Sequence, residues 1–307
     1  MRKGLKERKE YATIRGGHPV PTQALIGEFA VAGESANAGL IRGEHKMDLR
    51  LQGKTALVLG GSKGLGRGVA DALAAEGVAV ALLARGKEAL DQAVAEINGR
   101  GGRAIAVPAD LADWPGVERA ANTARQQLGP IDILLNNSGG PPPTRVIGVA
   151  PEVWEAQFRS MVLVFFRLTN LLLPEMRQRK WGRIINVASE SVVQPIPQIA
   201  ISNTLRASVV GWAKTLAGEV ARDGITVNTM LPGAFDTDRV RQIQRATSAR
   251  EGVSLEEFAQ RAARNIPVGR MGTAAEFGAM AAFLASPFAG YITGTMIRLD
   301  GGSVRGI

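Results

Sequence analysis

The chain is predicted to fold as a three-layer α/β/α domain, doubly wound around a mostly seven-stranded parallel sheet. Three observations predict this. From Leu51 onward, short apolar runs rich in β-formers alternate with segments of helical periodicity. Most of these runs show no alternation of polar and apolar residues, as parallel strands covered on both faces require. The first run passes directly through a glycine-rich turn into a helical pattern.

The predicted strands are Thr55–Leu59, Val78–Leu83, Ala104–Val107, Ile131–Leu135, Arg183–Val187, Thr226–Leu231 and Met296–Leu299. The helical segments between them are Leu65–Glu76, Lys87–Asn98, Trp114–Leu128, Glu152–Gln178, Leu205–Ala221, Leu255–Arg264 and Ala274–Leu284. Pro151 stands at a helix entry, where its missing N–H costs nothing. Ser254 with Glu257, and Thr273 with Glu276, have the spacing of capping boxes. There is no internal repeat and no sign of a second core, so one domain is expected over residues 47–307.

Composition bounds the chemistry. The 307 residues include no cysteine, which excludes disulfides, thiolate metal sites and cysteine nucleophiles. No metal site is expected. The longest apolar runs, such as Gly77–Ala84 and Met161–Phe166, are far shorter than the ~20 residues of a membrane span. The net charge of +9 allows either a nucleic-acid surface or arginine-rich solvated helices around an anionic ligand. Basic residues are interspersed with Asp and Glu, with no run of five or six like charges, and this favours the second. Neither a nucleic acid nor a membrane is expected as partner.

Residues 1–46 differ from the rest. Neither helical nor strand periodicity persists there, and eight Lys/Arg against five Glu give the segment +3. No apolar h-region follows the basic start, and the Glu residues argue against a transit peptide. The segment is expected to be a disordered or non-native extension, with Met47 as a candidate initiator.

The turn reads Gly60-Gly61-Ser62-Lys63-Gly64-Leu65-Gly66. Glycines at 60, 64 and 66 let the backbone approach a pyrophosphate, and the following helix offers it free N–H groups and a positive dipole end. A dinucleotide fold reads the adenosine ribose ~20 residues further on. An acidic residue there would bind the 2′-OH of NAD. Here the residue is Arg85, which attracts a 2′-phosphate, with Lys63 as a second cation, so NADP(H) is favoured over solvated surface charges.

These residues resemble the classical short-chain dehydrogenase/reductase family, and the resemblance covers about residues 50–303. The turn matches its T-G-x-x-x-G-x-G with Leu59 in place of Thr. Asp110-Leu111 matches the adenine-contacting position. Asn136-Asn137-Ser138-Gly139 matches N-N-A-G. Pro232-Gly233 with Thr237 matches the loop that contacts the nicotinamide amide, and Gly294 and Asp300-Gly301-Gly302 match the C-terminal strand and turn. The resemblance implies a Rossmann-type fold, a cytoplasmic location, and a homotetramer or homodimer contacting through the segments 152–178 and 205–221.

The resemblance also exposes departures. The family reduces a carbonyl with a Tyr acid, a Lys four residues on, a Ser that polarises the substrate oxygen and an Asn that carries a water relay. Ser189 matches the Ser. Thirteen residues later Ser202 stands at the Tyr position, Arg206 at the Lys position and Met161 at the Asn position. A serine hydroxyl is shorter and a much weaker acid than a phenol. Arginine holds its proton throughout the working pH range. Only Tyr11 and Tyr291 exist in the chain, and both histidines, His18 and His45, lie in the extension. Glu190, directly after Ser189, is the remaining nearby acid, read either as a donor with a raised pKa or as a solvated loop carboxylate. Water is a further proton source.

The loop Gly139–Arg145 and the segment 236–270 are expected to border the substrate. The latter holds Arg239, Arg241, Arg245, Arg250, Arg261 and Arg264, read either as attracting an anionic acyl thioester or as a solvated lid, the second preferred. Two functions follow. One is NADPH-dependent reduction of a 3-oxoacyl-type or related keto substrate through a non-standard proton donor, with Ser189, Ser202, Arg206 and Glu190 as the catalytic set. The other is a catalytically impaired NADP(H)-binding homologue, acting as a sensor or partner subunit.

Overall fold

Thr55–Leu59 (β1) is buried along its whole length, as an interior strand of a seven-stranded sheet. In the computed structural model the described residues are 47–238, 240–241, 245 and 254–306. What was expected of residues 1–46 lies outside them, as do Arg239 and Arg250. The other strands are Ala79–Ala84 (β2), Arg103–Pro108 (β3), Ile133–Asn136 (β4), Gly182–Val187 (β5), Ile225–Pro232 (β6) and Met296–Leu299 (β7). All pair in parallel, in the order β3-β2-β1-β4-β5-β6-β7. Chain direction across the sheet reverses between β1 and β4, which opens a crevice above their carboxyl ends.

The helices are Gly64–Ala75 (α1), Lys87–Gly99 (α2), Trp114–Leu128 (α3), Pro151–Phe158 (α4), Val164–Gln178 (α5), Ala200–Val220 (α6), Leu255–Arg264 (α7) and Ala274–Ala285 (α8). Two buried layers flank the sheet. Leu57, Leu59, Val117, Phe165, Leu168, Val209 and Ala213 form one, under α3, α5 and α6. Val58, Leu82, Val69, Leu73, Leu90, Ile97 and Phe277 form the other, under α1, α2 and α8. By length and mean hydropathy the continuous helical stretch Pro151–Gln178 would suffice to cross a bilayer. Its Met161, Phe165, Leu168, Leu172 and Met176 are instead packed into the first layer, at the i, i+4, i+7 spacing of a core-facing stripe.

The predicted boundaries of β1, β7, α3 and α7 are the observed ones, and most others move by one or two residues. Two differences bear on the site. Helix α6 starts at Ala200, not at Leu205. Ser202, Asn203 and Thr204 are poor helix formers, but burial of Ile201, Ser202 and Leu205 outweighs that preference. The long predicted helix is interrupted by a π-helical turn, Arg159–Leu163, between α4 and α5. Such turns insert a residue into the helical register and recur at functional sites.

Buried asparagines tie the sheet together behind the site. Asn136 Nδ2 donates to Asn186 Oδ1 (2.9 Å), and Asn228 Nδ2 donates to the Ile292 carbonyl (2.7 Å). These bonds satisfy the amide donors that the strands carry into the interior, while Asn136 Oδ1 stays buried without a partner.

Candidate active site

At the end of β1 the backbone turns on Gly60, which has φ +67°. Its N–H donates to the Leu83 carbonyl (2.7 Å), closing the turn against β2. A Cβ on Gly60 would lie 2.6 Å from Asn137 Nδ2, and one on Gly66 would overlap the Gly60 carbonyl. Only glycine fits both places. Asn137, from the end of β4, donates to the Leu59 carbonyl (3.1 Å) and clasps the turn from the far side of the crevice. Thr237 lies opposite, its Cγ2 3.6 Å from where a Gly64 side chain would begin.

Helix α1 opens from Lys63 with no side-chain cap and no acidic residue in its first turn. Its leading N–H groups and positive dipole end therefore face the crevice without internal compensation. Lys63 and Arg85 are exposed, and among the described residues neither is ion-paired. Ser62 and Leu65 are half-buried between them. Across the crevice, Asp110 is exposed and accepts the Ala112 N–H (3.0 Å), with Leu111 half-buried beside it. Ser138 is buried with no hydrogen-bond partner for its hydroxyl, while Gly139 is open. The crevice thus presents bare helix amides, two exposed cations and a buried hydroxyl without a partner.

The catalytic candidates gather at the ends of β4, β5 and β6. Ser189 caps the 3₁₀ turn Glu190–Val192, its Oγ accepting the Ser191 N–H (3.1 Å). That bond fixes the hydroxyl oxygen and leaves its proton to point elsewhere. Ser202, in the first turn of α6, is buried. Arg206 lies one helical turn on, and its Nε donates to Ser202 Oγ (3.2 Å). The same guanidinium donates to the Val187 carbonyl (3.0 Å) and the Ser138 carbonyl (3.4 Å). It is thus held by the ends of two strands. Met161 is buried in the π turn, on the same layer.

Glu190 faces the other way. Its Oε2 is buried without a hydrogen-bond partner, 2.8 Å from where a Gly233 side chain would begin and beside Asp300. Burial pushes its carboxyl above the usual carboxylate range, and the Asp300 charge pushes the same way. The structure thus brings Ser202 and Arg206 together on the β4–β5 side and sets the Glu190 carboxyl on the β6–β7 side. Sequence reasoning missed the anchoring of Arg206, because backbone carbonyls leave no residue signature. It also missed the docking of the 139–145 loop, where Thr144 N–H donates to the Gln198 carbonyl (2.7 Å) and the Thr144 carbonyl accepts from Ala200 (3.2 Å). In the 236–270 segment, Arg241 pairs with Asp236 (2.6 Å) and Arg261 with Glu257 (3.4 Å), so local acids offset part of its charge.

A family model described as enoyl-(acyl carrier protein) reductase matches residues 60–303. The chain is a short-chain dehydrogenase/reductase. Among its relatives, the D-β-hydroxybutyrate dehydrogenase of Cupriavidus necator is 35% identical over 257 residues, covering 83% of this chain and 99% of that protein. A 3-oxoacyl-[acyl-carrier-protein] reductase of Synechocystis is 36% identical, covering 83% and 98%. Among solved structures, the L-sorbose reductase of Gluconobacter frateurii, complexed with NADPH and L-sorbose, superposes with a TM-score of 0.82 at 32% identity, covering 85% and 100%. As a short-chain dehydrogenase/reductase, this chain carries its crevice and its β5–α6 face on a fold common to these enzymes.

Proposed function

We propose that this chain is an NADP(H)-dependent oxidoreductase that reduces a carbonyl, of 3-oxoacyl type or a related keto substrate, without a phenolic acid. NADP(H) would sit along the residues already placed: Gly60, Ser62, Lys63, Gly64, Leu65 and Gly66 at the pyrophosphate, Arg85 with Lys63 at the 2′-phosphate, Asp110 and Leu111 at the adenine. Asn137, Ser138, Gly139 and Arg206 would line the ribose side, and Pro232, Gly233 and Thr237 the nicotinamide end. When bound, the cofactor supplies or accepts hydride.

The observation that carries the reading is the Arg206–Ser202 bond. An N–H from a permanent cation onto Ser202 Oγ draws electron density from the hydroxyl and favours release of its proton. Because the oxygen accepts from Arg206, its own O–H is available to donate to a substrate oxygen. Ser189, likewise holding its oxygen by an accepted bond, would share that substrate oxygen. As the carbonyl gains hydride its oxygen becomes an alkoxide, a stronger base than a serine alkoxide beside a guanidinium. Ser202 would pass its proton there and be restored from water. Arg206 would stay protonated throughout and act by charge alone. Glu190 would serve the same reaction from the β6–β7 side. The chain is read as cytoplasmic and as a homotetramer or homodimer. Val153 and Phe158, exposed on α4, support a subunit contact on that face, and sedimentation velocity tests it.

Met161 favours the second reading, a cofactor-binding subunit or sensor, since a thioether holds no relay water. One experiment separates them. The purified chain is titrated with NADPH by fluorescence and then offered ketones, 3-oxoacyl thioesters, quinones and imines. Turnover that falls with Ser189→Ala and Ser202→Ala supports the enzyme. Tight binding without turnover, with activity appearing only in Met161→Asn/Ser202→Tyr/Arg206→Lys, supports the binding module.

A further inference from the structure

Two loops depart from the composition of the rest of the chain. One is 139–150, after the end of β4, and the other is 191–199, which runs on from Ser189 and Glu190. Together they carry a single charge, Arg145, in a chain that is 21% charged. Five prolines lie in them, Pro141, Pro142, Pro143, Pro195 and Pro197. Proline fixes φ, so such segments hold a shape with little help from packing.

The loops are also tied to each other and to the candidate site. Thr144 and Ile199 form a parallel bridge, in which Thr144 N–H donates to the Gln198 carbonyl and Ala200 N–H to the Thr144 carbonyl. Gln198 takes a left-handed φ of +64° to present that carbonyl. A residue with a side chain stays there only where its surroundings hold it. Asn203 Nδ2 donates to the Ile196 carbonyl (2.9 Å), which pins the second loop to the first turn of α6. That turn carries Ser202, and the same loop starts from Ser189, so its two roots are the two hydroxyls of the candidate site.

On this stiff frame the outward side chains are apolar. Val146 and Ile147 are 62% and 90% exposed, and Val193 and Ile196 are 42% and 38% exposed. They are four of the eleven large apolar side chains exposed among the described residues. Scattered singly, such residues call for no account, but a group held beside a polar crevice marks a surface that is used. Arg145 is compatible with such a face, because an arginine stem covers apolar groups while its head stays in water.

We propose that the two loops form an apolar rim that receives the hydrocarbon tail of the substrate, so that the ketone this chain reduces carries a chain of several carbons beyond its carbonyl. The inference rests on the carbonyl-reducing reading for the identity of the reacting end. The occupant is the substrate because the rim is continuous with the Ser189–Ser202 edge of the crevice, where a reacting carbonyl would have to lie. A polyhydroxy ketone would bring hydroxyls to four hydrocarbon faces and give up their water without a partner in return. An alkyl tail loses no hydrogen bond there and releases water from both surfaces.

Methyl ketones of six to ten carbons, titrated calorimetrically into the full chain loaded with NADP+, test the rim without requiring turnover. Each further methylene laid on the rim should tighten binding about two- to threefold, less than the roughly fourfold of complete burial, because a rim covers a tail on one side only. Ile147→Ser/Ile196→Ser changes one exposed position on each loop. It should flatten the series and leave NADPH affinity, read by fluorescence, unchanged. A flat series in the unmodified chain, or a slope that survives in the double variant, overturns the proposal. A surviving slope with a changed sedimentation coefficient would assign the rim to a second copy of the chain instead. NADPH oxidation with the same ketones separates this inference from the reading beneath it. Binding that depends on chain length, with no oxidation by any ketone, would sink the carbonyl reading and keep the rim. Oxidation with a kcat/KM independent of chain length would sink the rim and keep the reading.

Discussion

The two sides of the crevice are built by different means. On the β1–α1 side, the crevice-facing groups are backbone: the bare amides of α1, the turn at Gly60 and the close approach of Gly66. On the β5–α6 side they are side chains, Ser189, Ser202 and Arg206, held by accepted and donated hydrogen bonds. A backbone site tolerates no change of the glycines that shape it but is indifferent to most neighbours. A side-chain site allows exchange of its chemistry while the frame stays the same. The difference explains how a chain can keep its glycine turn and still carry serine, arginine and methionine where its family resemblance implies tyrosine, lysine and asparagine.

The sharpest way to break this contrast is Gly66→Val. The new side chain would meet the Gly60 carbonyl, so NADPH binding should vanish in fluorescence titration while the circular dichroism spectrum keeps its α/β form. Survival of binding would mean the backbone is less decisive than argued. On the other side, Ser202→Ala and Arg206→Ala should each lower kcat about a hundredfold, and the double variant little further, because the two act as one donor. Additive losses in steady-state kinetics would show that they act separately. Next in size, Arg85→Ala should weaken NADPH about tenfold and leave NADH unchanged, as the loss of one phosphate contact requires. The smallest effect lies outside both regions. Thr273 Oγ1 accepts the Glu276 N–H (3.2 Å) and Glu276 returns a bond to the Thr273 N–H (2.8 Å) at the start of α8. Thr273→Ala should lower Tm by about 2–4 °C in calorimetry and leave NADPH affinity untouched.

What could be read in advance follows the same division. The glycine turn and the clasping Asn137 of the N-N-S-G run were legible because each is a residue type demanded by a backbone shape. The capping box at Thr273 was legible for the same reason, and the structure forms it in full. Helix α6 was started too late because intrinsic preference said nothing of the burial awaiting Ile201 and Ser202. The π turn around Met161 was invisible, since it is a local widening of the backbone hydrogen-bond pattern that no residue type marks. The orientation of Glu190 toward β7 was equally hidden: it depends on Gly233 and Asp300, which are far from it in sequence.

The reversal of strand order at β1 has a consequence for how the protein is made. Ala56 pairs with Val80 on one side, but on the other it must wait for Ile133. A chain emerging from the ribosome can assemble β1, β2 and β3 as a half-sheet, and until β4 is synthesised β1 presents a raw edge, apolar from Ala56 to Leu59. Closing that edge is a long-range, entropically costly step, and it is the step that creates the crevice. That seam therefore forms midway, once β4 is made and before β5, β6 and β7 extend the sheet, and a ligand seated there during refolding would act on the joining of the half-sheet and not on its beginnings.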